Sequence, residues 1–248
     1  MHNILILGAS QGIGLGFVQQ LLNQPNTNKI YASYLHLESA TELLNLEKEY
    51  PTKLYCLQLD ITDESQLTKA VTNISAQVTQ LHLVINCVGI LHDDTLQPEK
   101  NLRQINSANL LKYFQVNSIG GVLLAKHLLP LLRHPNKSVL ATISAKVGSI
   151  GDNQLGGWYG YRASKAALNM LMRNVSIEYA RSSPKTIVVL LHPGTTDTKL
   201  SQPFQKNVPP EKLFSKERTA SQLLTVISGL TESDSGKFFS WDGTILPW

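Results

Sequence analysis

Cysteine is scarce in this chain: Cys56 and Cys87 are the two in 248 residues. Two cysteines make no disulfide framework. Each lies in an apolar run (KLYCLQL and LVINCVG), so both are expected to be buried free thiols in a reducing compartment. Charge is sparse as well, at 16% of residues with a formal net charge of +4. No run of Lys and Arg concentrates it, which excludes a nucleic-acid footprint and a polybasic membrane patch. No segment approaches the roughly 18 uninterrupted apolar residues of a membrane span. The opening MHNILILGAS has no basic region ahead of a long apolar stretch, so no signal peptide is expected and the chain should be cytoplasmic. Metal ligands lack paired spacing: His82 falls in a strand, whereas His92, Asp93 and Asp94 fall in a loop, so no metal site is expected. His192 precedes Pro193 and reads as structural. There is no repeat, low-complexity tract or linker, and residues 1–248 read as one domain.

What the chain does have is apolar material, 42% of its residues, enough for a large core. Strand-like and helix-like runs alternate from end to end. Strands are expected at Asn3 to Gly8, Lys29 to Tyr34, KLYCLQL, Leu81 to Cys87, Ser138 to Ser144, Thr186 to Gly194 and Lys237 to Trp241. Helices are expected from Gly12 to about Leu22, Glu38 to Tyr50, Thr62 through Val78, Leu102 to Leu132, Trp158 to Ala180 and Thr219 to Leu230. Regular βα alternation predicts a doubly wound, seven-stranded parallel sheet between helices in a three-layer α/β/α arrangement. Ligands of such sheets bind outside the carboxyl ends of the strands.

Gly8-Ala9-Ser10-Gln11-Gly12-Ile13-Gly14 lies where the first strand gives way to the first helix. Glycines there permit a tight turn and close approach of a pyrophosphate to the backbone. The helix start then offers unpaired N–H groups and a positive dipole end to the phosphates. Downstream, Tyr161-Arg162-Ala163-Ser164-Lys165 sets a phenol and an ammonium four residues apart on one helix face. A phenol titrates at about 10, and a nearby ammonium should lower that value towards neutrality, as a proton donor to an alkoxide requires. Tyr159 competes for the role, but its four-residue partner is Ala163. Asn117 sits between apolar residues on a predicted helix, an unfavourable place for asparagine.

GASQGIG, together with YxxxK and the motifs below, resembles the short-chain dehydrogenase/reductases over essentially the whole chain, and within them the C-factor and sniffer-like carbonyl reductase group. The resemblance implies an NAD(P)-dependent oxidoreductase of Rossmann type that interconverts a carbonyl and an alcohol. It makes Tyr161 the general acid or base and Lys165 the group that lowers its pKa and holds the nicotinamide ribose. Ser144 becomes the hydroxyl that positions the substrate oxygen, and Asn117 the organiser of a proton relay. For the cofactor it implies the glycine turn with Ile13, then Asp60 and Ile61 beside the adenine. Asn86 and Gly89 match the family's NNAG turn, from which Cys87 and Val88 depart. Pro193, Gly194, Thr195, Thr196 and Thr198 match the turn that holds the carboxamide. The interval from Ser144 to Tyr161 is wider than in many relatives and reads as a loop insertion that could carry Trp158 towards the substrate.

An acidic residue after the second strand would indicate NAD, but that stretch is SYLHLES, without Asp. The missing carboxylate favours NADP(H) over NAD(H), with Ser10 and His36 as candidate phosphate contacts. The expected partner is a small carbonyl or alcohol, and a homo-oligomer is compatible with the long helices around Asn117 and Tyr161. C-factor-like proteins are associated with cell–cell signalling, so a nucleotide-binding signalling protein with little turnover is the rival expectation.

Overall fold

The computed structural model describes residues 1–248. Strand β1 (His2–Leu7) enters the glycine turn and helix α1 (Gly12–Leu22), followed by β2 (Thr27–Tyr34), α2 (Thr41–Glu49) and β3 (Leu54–Gln58). Next come α3 (Glu64–Ser75), β4 (Leu83–Asn86), α4 (Ser107–Phe114), α5 (Gly120–Leu132) and β5 (Ser138–Ile143). The chain continues through α6 (Tyr159–Ser182), β6 (Thr186–His192), β7 (Thr195–Thr196), β8 (Leu213–Phe214), α7 (Lys216–Gly229) and β9 (Phe238–Ser240). The large sheet has seven strands in the order β3-β2-β1-β4-β5-β6-β9, all parallel. This is the Rossmann-like α/β arrangement expected from the βα alternation.

The strands read as continuous apolar runs because both faces of the sheet are covered. Along β1, Ile4 and Ile6 join one core cluster while Leu5 and Leu7 join another. Strand β6 divides the same way, with Ile187, Val189 and Leu191 on the first face and Val188 and Leu190 on the second. Phe17 and Val18 of α1, Leu43 of α2 and Leu223 of α7 cover the first face. Leu67 of α3, Leu128 of α5 and Met172 of α6 cover the second. Each such side chain contributes about 1.5–3 kcal/mol on burial, so neither layer is dispensable.

Two helix expectations need correction. The segment from Glu38 to Tyr50 divides into a 3₁₀ turn at Leu37–Ser39 and α2. The long helix expected from Leu102 starts only at Ser107, where Asn106 Oδ1 accepts the N–H groups of Ala108 and Asn109. Leu102–Gln104 is instead an isolated 3₁₀ turn capped by Asn101. The helix is also interrupted: Gln115–Ile119 forms a π turn between α4 and α5, with Asn117 at its centre. Pro130, expected near the end, lies within α5. A small second sheet pairs β7 with β8 in parallel, an element that no run in the sequence announces. No helix is long and apolar enough to cross a membrane.

The strand order reverses at β1, whose neighbours are β2 and β4. The turns that leave β1 and β4 therefore flank a crevice beyond the carboxyl ends of the sheet, where a ligand of this fold binds.

Candidate active site

At that crevice lies a cleft of about 950 Å³, with the glycine turn at one end and Tyr161 at the other. Gly8 and Gly12 adopt left-handed backbone, at φ +69° and +55°. A Cβ on Gly14 would stand 2.2 Å from Gly8 O. The turn is tied to β2, since Gly8 N–H donates to Ser33 Oγ at 3.1 Å and Ala9 N–H to Ser33 O at 2.7 Å. Gln11, the residue that opens α1, makes no side-chain cap. The first N–H groups of the helix thus keep their donors for an anion, and the close-packed turn is a cradle that fits a pyrophosphate.

Most expected contact residues reach this one cleft. Gly8, Ser10, Gln11, Gly12, Ile13 and Gly14 line its first end, with Asp60 and Ile61 beside them. Gly89, Pro193, Gly194, Thr195, Thr196, Thr198, Ser144, Tyr161 and Lys165 line the remainder. Asn86 and Asn117 stand behind the wall, buried at 3% and 2% exposure. Asn86 Oδ1 accepts the N–H of Val88 at 3.1 Å and shapes the turn after β4. Asp60 Oδ1 accepts from both Thr62 N–H and Thr62 Oγ1, at 2.8 and 2.7 Å, which fixes the loop after β3.

The π turn explains an asparagine inside a helix. Asn117 Oδ1 accepts Ile90 N–H at 2.8 Å, and Nδ2 donates to Ile90 O at 2.9 Å and to Ser164 Oγ at 3.0 Å. Ser164 Oγ donates to Tyr161 O at 2.8 Å. One carboxamide thus clamps the loop after β4 to the turn of α6 that carries Tyr161, and π turns concentrate at functional sites for such reasons. A Cβ on Gly89 would meet Lys165 Nζ at 3.3 Å and Asn117 Oδ1 at 3.4 Å. A methyl there would press on both groups.

Lys165 is buried at 3% exposure and donates to Ile143 O at 3.2 Å. Burial lowers its pKa to about 8. Burial also pushes the Tyr161 phenol up from its ordinary value, contrary to the expected lowering. The physical reason is that withdrawal of the phenol from water outweighs an ammonium 5.8 Å from its ring centroid. The Ser144 hydroxyl donates to Asn169 Oδ1 at 2.7 Å.

Beyond Tyr161 the wall turns aromatic. Trp158 meets Phe204 edge-on at 4.9 Å and Tyr161 at 6.1 Å, and both Trp158 and Phe204 line the cleft. Trp158 has a left-handed backbone, φ 51°, which is strained for a tryptophan. Its N–H donates to Glu99 O at 2.5 Å, while Glu99 Oε2 accepts Gly160 N–H at 3.1 Å. The stretch between Ser144 and Tyr161 brings Trp158 to the cleft wall beyond Tyr161.

Sequence reading missed Ser33, Glu99, Asn169, Phe204 and Lys216. None belongs to a local motif; each reaches the site through a distant partner. The cysteines are half-buried rather than buried. Cys87 lines the cleft, and burial pushes both thiols up, Cys56 to about 12. His192 also lines the cleft; burial lowers it to about 4, and its Nδ1 accepts Lys146 N–H at 3.3 Å. The weighed metal ligands are parted: His82 stacks on His2 and lies against His134 ahead of β4, whereas Asp93, beyond that strand, pairs with Lys112 at 2.6 Å.

The sequence profile of the short chain dehydrogenase family matches residues 2–209. Two solved structures are similar over the whole chain. The NADPH-bound carbonyl reductase from chicken fatty liver superposes with a TM-score of 0.89 at 29% identity, covering 100% of this chain and 99% of that one. The carbonyl reductase Sniffer of Drosophila melanogaster gives 0.88 at 29% identity, covering 100% of both chains. The C-signal of Myxococcus xanthus is 33% identical over 147 residues, which is 59% of this chain and 83% of that one.

Proposed function

From the premise that the chain belongs to the short chain dehydrogenase family, and is an oxidoreductase that uses a nicotinamide cofactor, we propose that it interconverts a carbonyl compound and its alcohol with Tyr161 as general acid and base. The observation that carries this reading is that Tyr161, Lys165 and Ser144 line the same cleft as the glycine turn. When bound, the nicotinamide dinucleotide supplies or accepts the hydride. The α1 start and the Gly8–Gly14 turn would hold its pyrophosphate, and the Pro193–Thr198 turn its carboxamide. Ser144 steadies the substrate oxygen as charge develops on it. Tyr161 gives its phenolic proton to that oxygen during reduction and takes it back during oxidation. Lys165, in its charged form, stabilises the phenolate so formed and opposes the burial that raises the phenol. Asn117, which clamps the Ile90 loop to α6 beside Lys165, would organise the proton relay to that lysine. The aromatic wall of Trp158 and Phe204 favours an apolar carbonyl compound.

NADP(H) is the favoured cofactor. No carboxylate follows β2 directly, and Ser10, His36 and Ser39 line that end of the cleft. Support also comes from the NADPH-bound chicken carbonyl reductase. The similarity to C-signal favours a second reading, a nucleotide-binding signalling protein with little turnover.

Fluorescence titration with NADPH and NADH, followed by carbonyl turnover, tests both. NADPH should bind more tightly, and Tyr161→Phe should lower kcat by about 10²-fold or more while leaving NADPH affinity intact. Turnover that survives Tyr161→Phe would remove the tyrosine from the mechanism. A folded protein that binds neither nucleotide would remove the oxidoreductase reading altogether.

A further inference from the structure

A serine that steadies a developing oxyanion must donate its one hydroxyl proton to that oxygen. The Ser144 proton is directed elsewhere, to Asn169 Oδ1 at 2.7 Å. Both side chains are buried, at 2% and 3% exposure. On the far side of the same carboxamide, Asn169 Nδ2 is buried without a hydrogen-bond partner. A buried donor left unpaired costs about 1–3 kcal/mol. One buried group is thus unsatisfied, and its neighbour has its proton turned from the cleft.

A half-turn of the carboxamide about its terminal bond gives the nitrogen a partner and releases the hydroxyl proton, because the oxygen and the NH₂ exchange places in nearly the same volume; the oxygen then takes the far position. Nδ2 then donates to Ser144 Oγ. The hydroxyl accepts that bond and its own proton is free to point into the cleft that Ser144 lines. Asn169 follows Lys165 by four residues on α6, as Lys165 follows Tyr161, so the three form one stripe along the helix.

Resting on the role of Ser144 given above, we infer that Asn169 is a positioning residue: its amide nitrogen orients the Ser144 hydroxyl so that the proton faces the substrate oxygen. A side chain of the same shape that can only accept must hold the proton in the wrong direction. One that makes no hydrogen bond leaves the hydroxyl free to turn. Catalysis should therefore suffer more from Asn169→Asp than from Asn169→Ala. A purely space-filling role predicts the reverse order, since aspartate keeps the volume and alanine does not.

The test compares Asn169→Asp, Asn169→Ala and Ser144→Ala, singly and as the two doubles, in NADPH-dependent reduction of 4-nitrobenzaldehyde and a panel of related aldehydes and ketones. Asn169→Asp is expected to lower kcat about 10²-fold, the scale of one lost oxyanion donor, and to add nothing once Ser144 is alanine. Asn169→Ala should lose less than about tenfold, with the KM for aldehyde and the NADPH affinity of all variants within about threefold of the parent. Losses that add in full to Ser144→Ala, or alanine worse than aspartate, would overturn the inference. Unfolding midpoints exclude variants that do not fold.

A second readout needs no turnover. With asparagine-selective ¹⁵N labelling, the Asn169 side-chain NH₂ signals are identified by their absence in Asn169→Ala and should shift in Ser144→Ala. Signals indifferent to Ser144→Ala would overturn the hydrogen bond even in a fully active protein. Signals that shift in a protein that binds NADPH but reduces no member of the panel would sink the oxidoreductase reading instead, and the catalytic role of Asn169 with it.

Discussion

Strand β2 ends at Tyr34 and hands over to Leu35 and His36, so no carboxylate stands ready for the ribose hydroxyls. A positive charge reaches this side from far along the chain. Lys216, the first residue of α7, lines the cleft and sets its ammonium 3.4 Å from Glu42 Oε1 in the first turn of α2. The Glu42 side chain is 54% exposed, and an exposed pair of this length is worth under about 1 kcal/mol. The ammonium is therefore free to leave it for a phosphate, with which it makes the stronger charge-assisted bond. Lys216→Met should raise the Kd for NADPH about tenfold, or roughly 1.4 kcal/mol, and change that for NADH less than about twofold. Glu42→Gln, which frees the lysine, should shift the ratio the other way. Parallel fluorescence titrations with both nucleotides check this. Equal losses for the two would place Lys216 on a feature that they share and leave the preference to Ser10 and His36.

At the scale of elements, the central strands β1, β4, β5 and β6 were legible because each is a largely apolar run with both faces covered, whereas β7 and β8 have no such run. The helices were legible only where apolar spacing and capping agree. Leu102 and Ile105 extend the apolar pattern of α4 backwards, yet they are 69% and 38% exposed, and Asn106 sets the true start. The π turn around Asn117 leaves no trace in a 3.6-residue pattern. It exists because the asparagine bonds to Ile90 and Ser164, partners that spacing cannot show. The catalytic stripe was legible at Tyr161 and Lys165 and ended there, because Asn169 lies among residues that read as core. The start of α6 was equally opaque. Trp158 precedes it with no side-chain cap, and the cap comes instead from Glu99, through Gly160 N–H at 3.1 Å. Removal of this buried cap by Glu99→Ala should destabilise the protein by about 1–2 kcal/mol. Glu99→Gln, whose amide oxygen can accept the same N–H, should recover most of that. Urea unfolding of the two variants measures the difference. Equal losses would show that the carboxylate charge, rather than the hydrogen bond, holds the helix start.

For the molecule as a whole, two imidazoles at opposite ends of the parallel sheet tie stability to pH. His82 lies just ahead of β4, accepts Asn3 N–H on Nδ1 at 3.2 Å, stacks on His2 at 5.2 Å and lies tilted against His134 at 5.3 Å. His192 ends β6 at the cleft. Burial is the main cause that lowers both to about 4 from an ordinary 6.5. Between those two values the unfolded chain binds protons that the folded chain refuses. Stability from these groups is therefore complete above pH 6.5 and is lost as pH falls towards 4. With one pKa unit worth about 1.4 kcal/mol, and His82 discounted by about half for its partial exposure, the pair should take about 3 kcal/mol from the unfolding free energy between pH 7 and pH 5. The carboxylates held low by lysine partners, such as Glu64 with Lys126, begin to contribute only as pH falls below their ordinary 4.5. The upper part of the window therefore belongs to histidine. Urea unfolding at pH 7, 6 and 5 should show a steady fall in stability, and His82→Asn should flatten it by about a third, because asparagine keeps an acceptor for Asn3 and does not titrate. A profile level from pH 7 to pH 5 would mean that both imidazoles take up protons as readily in the folded protein as in the unfolded chain.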